Sequence, residues 1–377
     1  MSARPTMRIA LLESYYGGSH KAWADGYRRF SRHDIDLLTL PAQFWKWRMQ
    51  GAAISFARLL DSAPDLALAS SMIDLSIFRA LTRDRLAAVP VAMYFHENQL
   101  SYPQSRRQNH GWRYGFINYA SALCADANFF NSQFHLDDFM AQLPRMLKHF
   151  ADYNELQTID EIRAKSSVLS LGLDLCRFDD HFARKAENEP PIILWNHRWE
   201  HDKDPGAFAR SMIQLAHEGF DFKLAITGER FGELPESFQM AQSRLGDRII
   251  QLGYIDSFAD YARLLWRADY VVSSAWQEFF GASVCEAIYC GCVPLLPDRL
   301  NYPHLLTDDL KDACLYQRDR LTAQLRYHLA GDVTLDLSEL QEKIARFDWR
   351  LMAPRYDDEL ERLVSRHRAS LDQRRSR

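Results

Sequence analysis

Long hydrophobic runs are missing from this chain: no window approaches the roughly 18 consecutive apolar residues that a membrane-spanning helix needs. The opening MSARPTMRIALLES turns acidic at Glu13, too soon for the hydrophobic core of a secretory signal, so none is expected. Cysteine is sparse, six residues scattered over the chain, and Cys290 and Cys292 form only C-x-C without the second pair a zinc site needs. Reduced, mostly buried thiols in a cytoplasmic protein are the expectation. The dinucleotide fingerprint G-x-G-x-x-G is absent, as are repeats of roughly 20–50 residues and low-complexity blocks. Net charge is small, −4 at neutral pH, which argues against a surface that binds polyanions everywhere.

What is present is a recurring alternation of strand and helix. At 377 residues the chain is too long for one typical core and suits two domains. MRIALLE (7–13), IDLLTL, DLALAS, VPVAMYF and ANFFN are apolar runs separated by helical segments, and SVLSLGLD (167–174) closes the series. Such runs describe parallel strands buried on both faces. CRFDDHFARKAENEPP (176–191) is charged, poor in aliphatics and ends in Pro-Pro, the composition of a linker. The pattern then restarts with PIILWN, FKLAIT, RIIQLG, YVVSS and VPLLP. The expected α/β organisation is a Rossmann-like domain over 1–175, a linker over 176–191, a second Rossmann-like domain over 192–345, and a closing helix with a frayed tail over 346–377. Two doubly wound domains facing each other would bring the carboxyl ends of both sheets to one cleft, where such sheets bind ligands.

Functional residues should therefore follow strands. After the first, Gly17-Gly18 lets backbone come close to an anion at a helix N-terminus, a weak signal alone. After VPVAMYF, His96 either meets a reacting sugar or hydroxyl or merely satisfies local backbone. After PIILWN, Arg198 and Lys203 can neutralise a departing diphosphate without a metal ion. Asp204-Pro205 marks a helix start with Asp as N-cap, which argues against a metal-binding pair of Asp202 and Asp204. His197 and His201 flank a turn, so a zinc pair is not expected either, and no metal site is assigned. In EFFGASVCE, Glu278 lies in a loop and Glu286 inside the helix that Ala282 begins, so the two acids do not share a helix face. That favours two separate holds on one elongated ligand, such as a sugar and a ribose diol, over a paired acid/base role.

A basic, aromatic stretch stands apart from these. PAQFWKWRMQGAAISFARLL (41–60) interleaves Phe44, Trp45 and Trp47 with Lys46 and Arg48. Aromatics stack unpaired bases and cations meet phosphates, which suits a single-stranded RNA loop. Trp45, Met49, Ala52, Phe56 and Leu59 also fall on one helical stripe, so a sheet-packing helix competes with RNA binding, as does docking on a membrane surface. SRRQNHGWRY adds Arg106, Arg107 and Arg113 without an acid, either a second RNA grip or a surface loop.

Taken in order, Gly17/Gly18, His96, Arg198/Lys203 and Glu278/Glu286 resemble the retaining GT-B glycosyltransferases of family 4, over nearly the whole chain. Asp204-Pro205 departs from the glycine that this family usually carries after the lysine, without affecting the cations. YYGGSHK, FWKWR, YFHENQLSYP, FNSQF, HRWEHDKDP, EFFG and EAIYCGC are further similar to the tRNA-queuosine α-mannosyltransferases. The resemblance implies transfer of mannose from GDP-mannose to the cyclopentenediol of queuosine in a tRNA anticodon, with no cofactor and no metal. It implies donor contacts from Gly17, Gly18, Arg198, Lys203, Gly228, Glu278, Phe279, Phe280, Gly281 and Glu286, with His96, Arg198, Lys203 and Glu278 at the reacting centre. The tRNA side would draw on Ser19, His20, Lys21, Trp45, Lys46, Trp47, Arg48, Asn98, Arg106, Arg107 and Arg113. A family 4 enzyme with a lipid-linked or small sugar acceptor is the competing enzyme, and a tRNA-binding protein on a decayed scaffold the non-catalytic alternative.

Overall fold

The computed structural model describes residues 6–101, 112–185, 189–229, 233–331 and 333–376. The chain divides into two compact units, Met1–Leu173 with Trp349–Arg377, and Asp174–Asp348.

The first unit is built on six strands, β1 (Arg8–Tyr16), β2 (Asp34–Pro41), β3 (Leu66–Ser70), β4 (Val91–Phe95), β5 (Ala127–Phe130) and β6 (Ser166–Val168). They lie in the order β2-β1-β3-β4-β5-β6 and every pairing is parallel. β3, β4 and β5 are buried along their whole length, as a sheet covered on both faces requires. The covering helices are α1 (Gly18–Phe30), α2 (Trp45–Leu59), α3 (Leu75–Leu86), α4 (Arg113–Cys124), α5 (Gln133–Leu147) and α6 (Thr158–Ala164). Asp74 caps α3 through the Ile77 N–H, and Ser132 caps α5 through the His135 N–H. The run SVLSLGLD is strand only at its start, because β6 is an edge strand with a single neighbour.

The second unit repeats the design with β7 (Ile192–Asn196), β8 (Lys223–Thr227), β9 (Ile249–Leu252), β10 (Tyr270–Val272), β11 (Val293–Pro297) and β12 (Leu315–Tyr316). Their order is β12-β11-β10-β7-β8-β9, again all parallel. β12 has two residues, too short for any periodicity to announce it. Four helices matter for the site: α7 (Pro205–His217), α8 (Glu236–Leu245), α9 (Phe258–Arg267) and α10 (Ala282–Tyr289). Asp204 caps α7 through the Ala207 N–H with Pro205 at the first turn, as its sequence indicates. Trp195, Phe208 and Phe238 pack together over this sheet.

Two stretches differ from their expected roles. Residues 176–181 form a short 3-10 helix belonging to the second unit, because Phe178 buries its ring against Phe258 and Tyr261, and Lys185 pairs with Asp269. A single aromatic anchor outweighs the charged composition that read as a linker. The chain end is a helix, Trp349–Arg375, and it packs on the first unit. Trp349 fills the space left by Gly26 and Gly172, Tyr27 donates to Asp357 at 2.8 Å, and Arg32 pairs with Glu361 at 2.7 Å. Beyond Pro354 no glycine or proline interrupts it, so the segment that read as frayed stays helical, held also by Arg368 on Asp65. Among the described residues, no helix is long and apolar enough to cross a membrane.

Candidate active site

In the second unit the strand ends after β7 and β10 meet. Lys203 is buried, and its ammonium donates to the Gln277 carbonyl at 2.5 Å while lying 3.4 Å from Glu278 and 3.3 Å from Asp202. It therefore sits between two carboxylates. Arg198 is half-exposed, 3.3 Å from Glu200.

Glu278 turns its Oε1 onto three consecutive backbone N–H groups, of Phe279 at 3.1 Å, Phe280 at 3.3 Å and Gly281 at 3.1 Å. Burial acts to raise its pKa, but the Lys203 charge and the Phe280 N–H outweigh it and hold the carboxyl below its usual value. Gly281 makes the loop possible: at φ +96° it occupies the left-handed region just before α10. The resemblance implied that Phe279, Phe280 and Gly281 contact the donor, their backbone orienting its sugar hydroxyls. Here those N–H groups fix the glutamate instead, because an anion beside a helix N-terminus collects them.

Glu286 lies one turn inside α10 and takes a hydrogen bond from the Tyr261 hydroxyl at 2.5 Å, which in turn accepts from the Asn196 amide at 2.7 Å. Burial raises its pKa to about 7, the Tyr261 bond opposing. The two acids thus have different partners and different electrostatics, which suits separate tasks. Gly228 follows β8 directly, where a Cβ would stand 1.9 Å from the His197 carbonyl oxygen, so glycine lets the Arg198 loop pass. His197 is buried against Trp195, and burial takes its pKa down to about 3.

The first unit holds a second cluster. Glu13 sits on β1 with no solvent exposure; its Oε1 accepts from the Tyr15 N–H at 2.8 Å and the Ser70 hydroxyl at 3.1 Å, and its Oε2 lies 3.1 Å from His20 Nδ1. A carboxylate only accepts, so His20 carries its proton on Nδ1. His96, at the end of β4, has Nε2 3.9 Å from the same Oε2 and no hydrogen-bond partner for it among the described residues. Its ring is enclosed by His20, Trp23 and Tyr94, and burial, then the neighbouring His20, holds its pKa well below the usual value. Glu13, His20 and His96 present donor atoms within 4.8 Å of one another, a set that could hold a cation. The 3.1 Å contact already satisfies the Glu13–His20 pair without one.

Gly17 and Gly18 enter α1 beside this cluster, Gly17 close against Ala42. Of the residues expected to meet RNA, Ser19 is exposed and Lys21 pairs with Asp25 at 2.5 Å. His20 is buried on Glu13, so it belongs to the cluster rather than to a nucleic-acid surface. Asn98 is fully buried too; its Oδ1 accepts the N–H groups of Leu100 and Ser101, so it shapes the loop after β4. Arg106 and Arg107 lie outside the described residues.

Helix α2 divides as its pattern indicates. Met49, Ala52 and Phe56 are buried, whereas Leu59 at the helix end is half-exposed. Trp45 packs against Tyr114 at 5.0 Å between ring centroids, part of a small core with Met49, Met72 and Ile117, so it is not an open stacking face. Trp47 is 60 % exposed, and a Cβ on Gly51 would lie 2.6 Å from its indole, so the ring lies along its own helix. Phe44, 76 % exposed, precedes the helix at φ +52°, a strained place for an aromatic. Arg48 donates to the Pro41 carbonyl and Lys46 lies over the Trp45 ring. Arg113 is exposed at the start of α4.

The sequence reading missed Glu13, Tyr261 and Asn196. An acid inside an apolar strand run was the available signal for Glu13; nothing local marks Tyr261, which lies 25 residues before its partner.

Two parallel-sheet units with these strand-end groups define a GT-B glycosyltransferase. Sucrose-phosphate synthase from Thermosynechococcus elongatus shares the fold with a TM-score of 0.68 at 15 % identity, over 96 % of this chain and 100 % of that one. Anabaena HepE in complex with UDP does so with a TM-score of 0.64 at 13 % identity, over 94 % of this chain and 100 % of that one. The family model "Glycosyl transferases group 1" matches residues 177–344, and "tRNA-queuosine alpha-mannosyltransferase N-terminal" matches residues 8–173. The chain is 35 % identical over 307 residues to the Drosophila melanogaster tRNA-queuosine alpha-mannosyltransferase, covering 79 % of this chain and 81 % of that protein. It belongs to the tRNA-queuosine alpha-mannosyltransferase family. A more distant relative is the GDP-mannose:cellobiosyl-diphosphopolyprenol alpha-mannosyltransferase of Xanthomonas campestris, 27 % identical over 200 residues, 51 % of each chain.

Proposed function

We propose that this protein transfers mannose, with retention, from GDP-mannose to the cyclopentenediol of queuosine in a tRNA anticodon, in the cytoplasm. The observation that carries the donor side is the gathering of Lys203, Glu278 and the Glu286–Tyr261 pair at the strand ends of one parallel sheet. The name of the Xanthomonas relative supports GDP-mannose, and that of the Drosophila relative supports the tRNA acceptor.

Glu286 accepts the ribose hydroxyls, and Arg198 with Lys203 stabilises the diphosphate as charge develops on it, the work a divalent metal does elsewhere. Glu278, fixed by its three N–H donors, directs Oε2 to the mannose hydroxyls, with His96 near the reacting carbon. The bond from C1 to the phosphate oxygen breaks as the bond from C1 to the acceptor oxygen forms on the same face. The acceptor proton passes to the leaving phosphate, so no covalent protein nucleophile and no metal are required. Gly17 and Gly18 let the acceptor approach α1, while Trp47, Lys46, Arg48 and Arg113 hold the RNA loop.

Incubation with GDP-mannose and tRNA from queuosine-competent or queuosine-deficient cells tests this, with mass spectrometry of the released nucleosides. A hexose on queuosine from the first tRNA alone is expected. No hexose with any nucleotide sugar offered would overturn the assignment, and a hexose on a lipid-linked acceptor instead would move the protein to the competing activity.

A further inference from the structure

The first unit also carries a cavity of about 630 Å³ whose aromatic walls none of the roles above uses. Trp112, Arg113 and Phe116 from the start of α4 line it, with His149 and Phe150 beyond α5 and Gln50 of α2. Phe116 and Phe150 are 48 % and 46 % exposed. Large aromatics left this open mark a binding surface. His149 stands between rings, 6.4 Å from Trp112 and 5.6 Å edge-on to Phe150, so much of the wall is flat π surface.

A guanidinium stands at the cavity edge. Arg113 donates to Gln50 Oε1 and so ties α4 to the helix that presents Trp47 and Arg48. Asp74 is the one carboxylate among the described lining residues, and its Oδ1 caps α3. A flat aromatic interior with a guanidinium at its edge complements a nucleotide: the base is planar and polarisable, the phosphate anionic. An aliphatic lipid chain would use neither the planes nor the charge. The volume lies within the few hundred Å³ typical of sites for one small ligand, and is too small for a helix.

We propose that this cavity receives one unpaired base of the RNA loop, stacked on Phe116 and Phe150, with Arg113 on its phosphate. The inference rests on the tRNA reading and adds to it a second, base-contacting subsite away from Trp47.

The test compares wild type, Phe116→Ala/Phe150→Ala, and Phe116→Trp/Phe150→Tyr for affinity to queuosine-containing tRNA at two salt concentrations, with GDP affinity and melting temperature alongside. The alanine pair is expected to lose roughly tenfold to a hundredfold in tRNA affinity, from the loss of base stacking. Its salt dependence and GDP affinity should stay as in wild type, since no phosphate contact is removed. The aromatic pair should bind tRNA within a few-fold of wild type. An alanine pair that is folded and binds tRNA as wild type does overturns the subsite while leaving the proposed function standing. Wild type without tRNA affinity overturns both. If the alanine pair instead loses binding to anionic phospholipid vesicles with tRNA binding intact, the cavity is a lipid site and the proposal falls.

Discussion

Glu13 is the most demanding residue in the first unit, a carboxylate with no solvent exposure on a strand otherwise made for a core. Replacing it by leucine removes the acceptor from three donors: the Tyr15 N–H at 2.8 Å, the Ser70 hydroxyl at 3.1 Å and His20 Nδ1 at 3.1 Å. Each buried donor left without a partner costs about 1–3 kcal/mol. Relief from desolvating the carboxylate offsets part of that sum. The net loss for Glu13→Leu should be about 3–5 kcal/mol, the range for breaking a buried charged pair. Glu13→Gln keeps an acceptor oxygen for Tyr15 and Ser70 but turns an N–H₂ toward His20, which must then accept through Nδ1. Its stability should fall by about 1 kcal/mol. Because the flipped tautomer changes what His20 offers beside His96, kcat should drop while KM for the donor stays as in wild type. Urea unfolding with steady-state transfer kinetics reads both effects. A Glu13→Leu protein as stable and as active as wild type would refute the idea that this carboxylate organises the histidine pair.

Other expectations concern the second unit and α2. In the proposed role, ribose hydroxyls donate to a charged Glu286, whose pKa in the free protein is raised to about 7. Donor binding, measured calorimetrically, should therefore tighten by up to about tenfold per pH unit as pH rises toward that value and level off above it, with a proton released on binding at the lower pH; a flat profile would refute this. Lys203→Met leaves Asp202 and Glu278 facing each other without their shared cation, so stability should fall by about 3–5 kcal/mol. Arg198→Ala, at a half-exposed position, should melt within about 0.5 kcal/mol of wild type yet slow transfer by roughly a hundredfold. Gly51→Ala should stabilise α2 by about 0.5–1 kcal/mol while displacing the Trp47 indole, so thermal stability rises as tRNA affinity falls. Equal tRNA affinity in that variant would remove Trp47 from the RNA surface.

The sequence by itself determined much of the fold and which polar groups cluster at the strand ends. Apolar runs between helices specify parallel strands buried on both faces, because only such strands have no polar side to show. Residues just past those runs gather at the strand ends, so Arg198, Lys203, Glu278 and His96 could be picked out by position, and Glu286 by its place in the helix that follows. The Asp204-Pro205 helix start was equally legible, since capping acts over three residues. What only the tertiary structure decided lies at long separation along the chain. Trp23 meets Tyr356 across 333 positions, which brings the last helix back to the first unit. Lys203 is shared by two carboxylates, one of them 75 positions away, and Asn196 reaches Tyr261 across 65. Glu13 meets Ser70 across 57 positions, on the neighbouring strand. Periodicity reports which face of an element is apolar; it carries no record of which distant side chain will complete a buried charge. That pairing exists only once the sheets have formed.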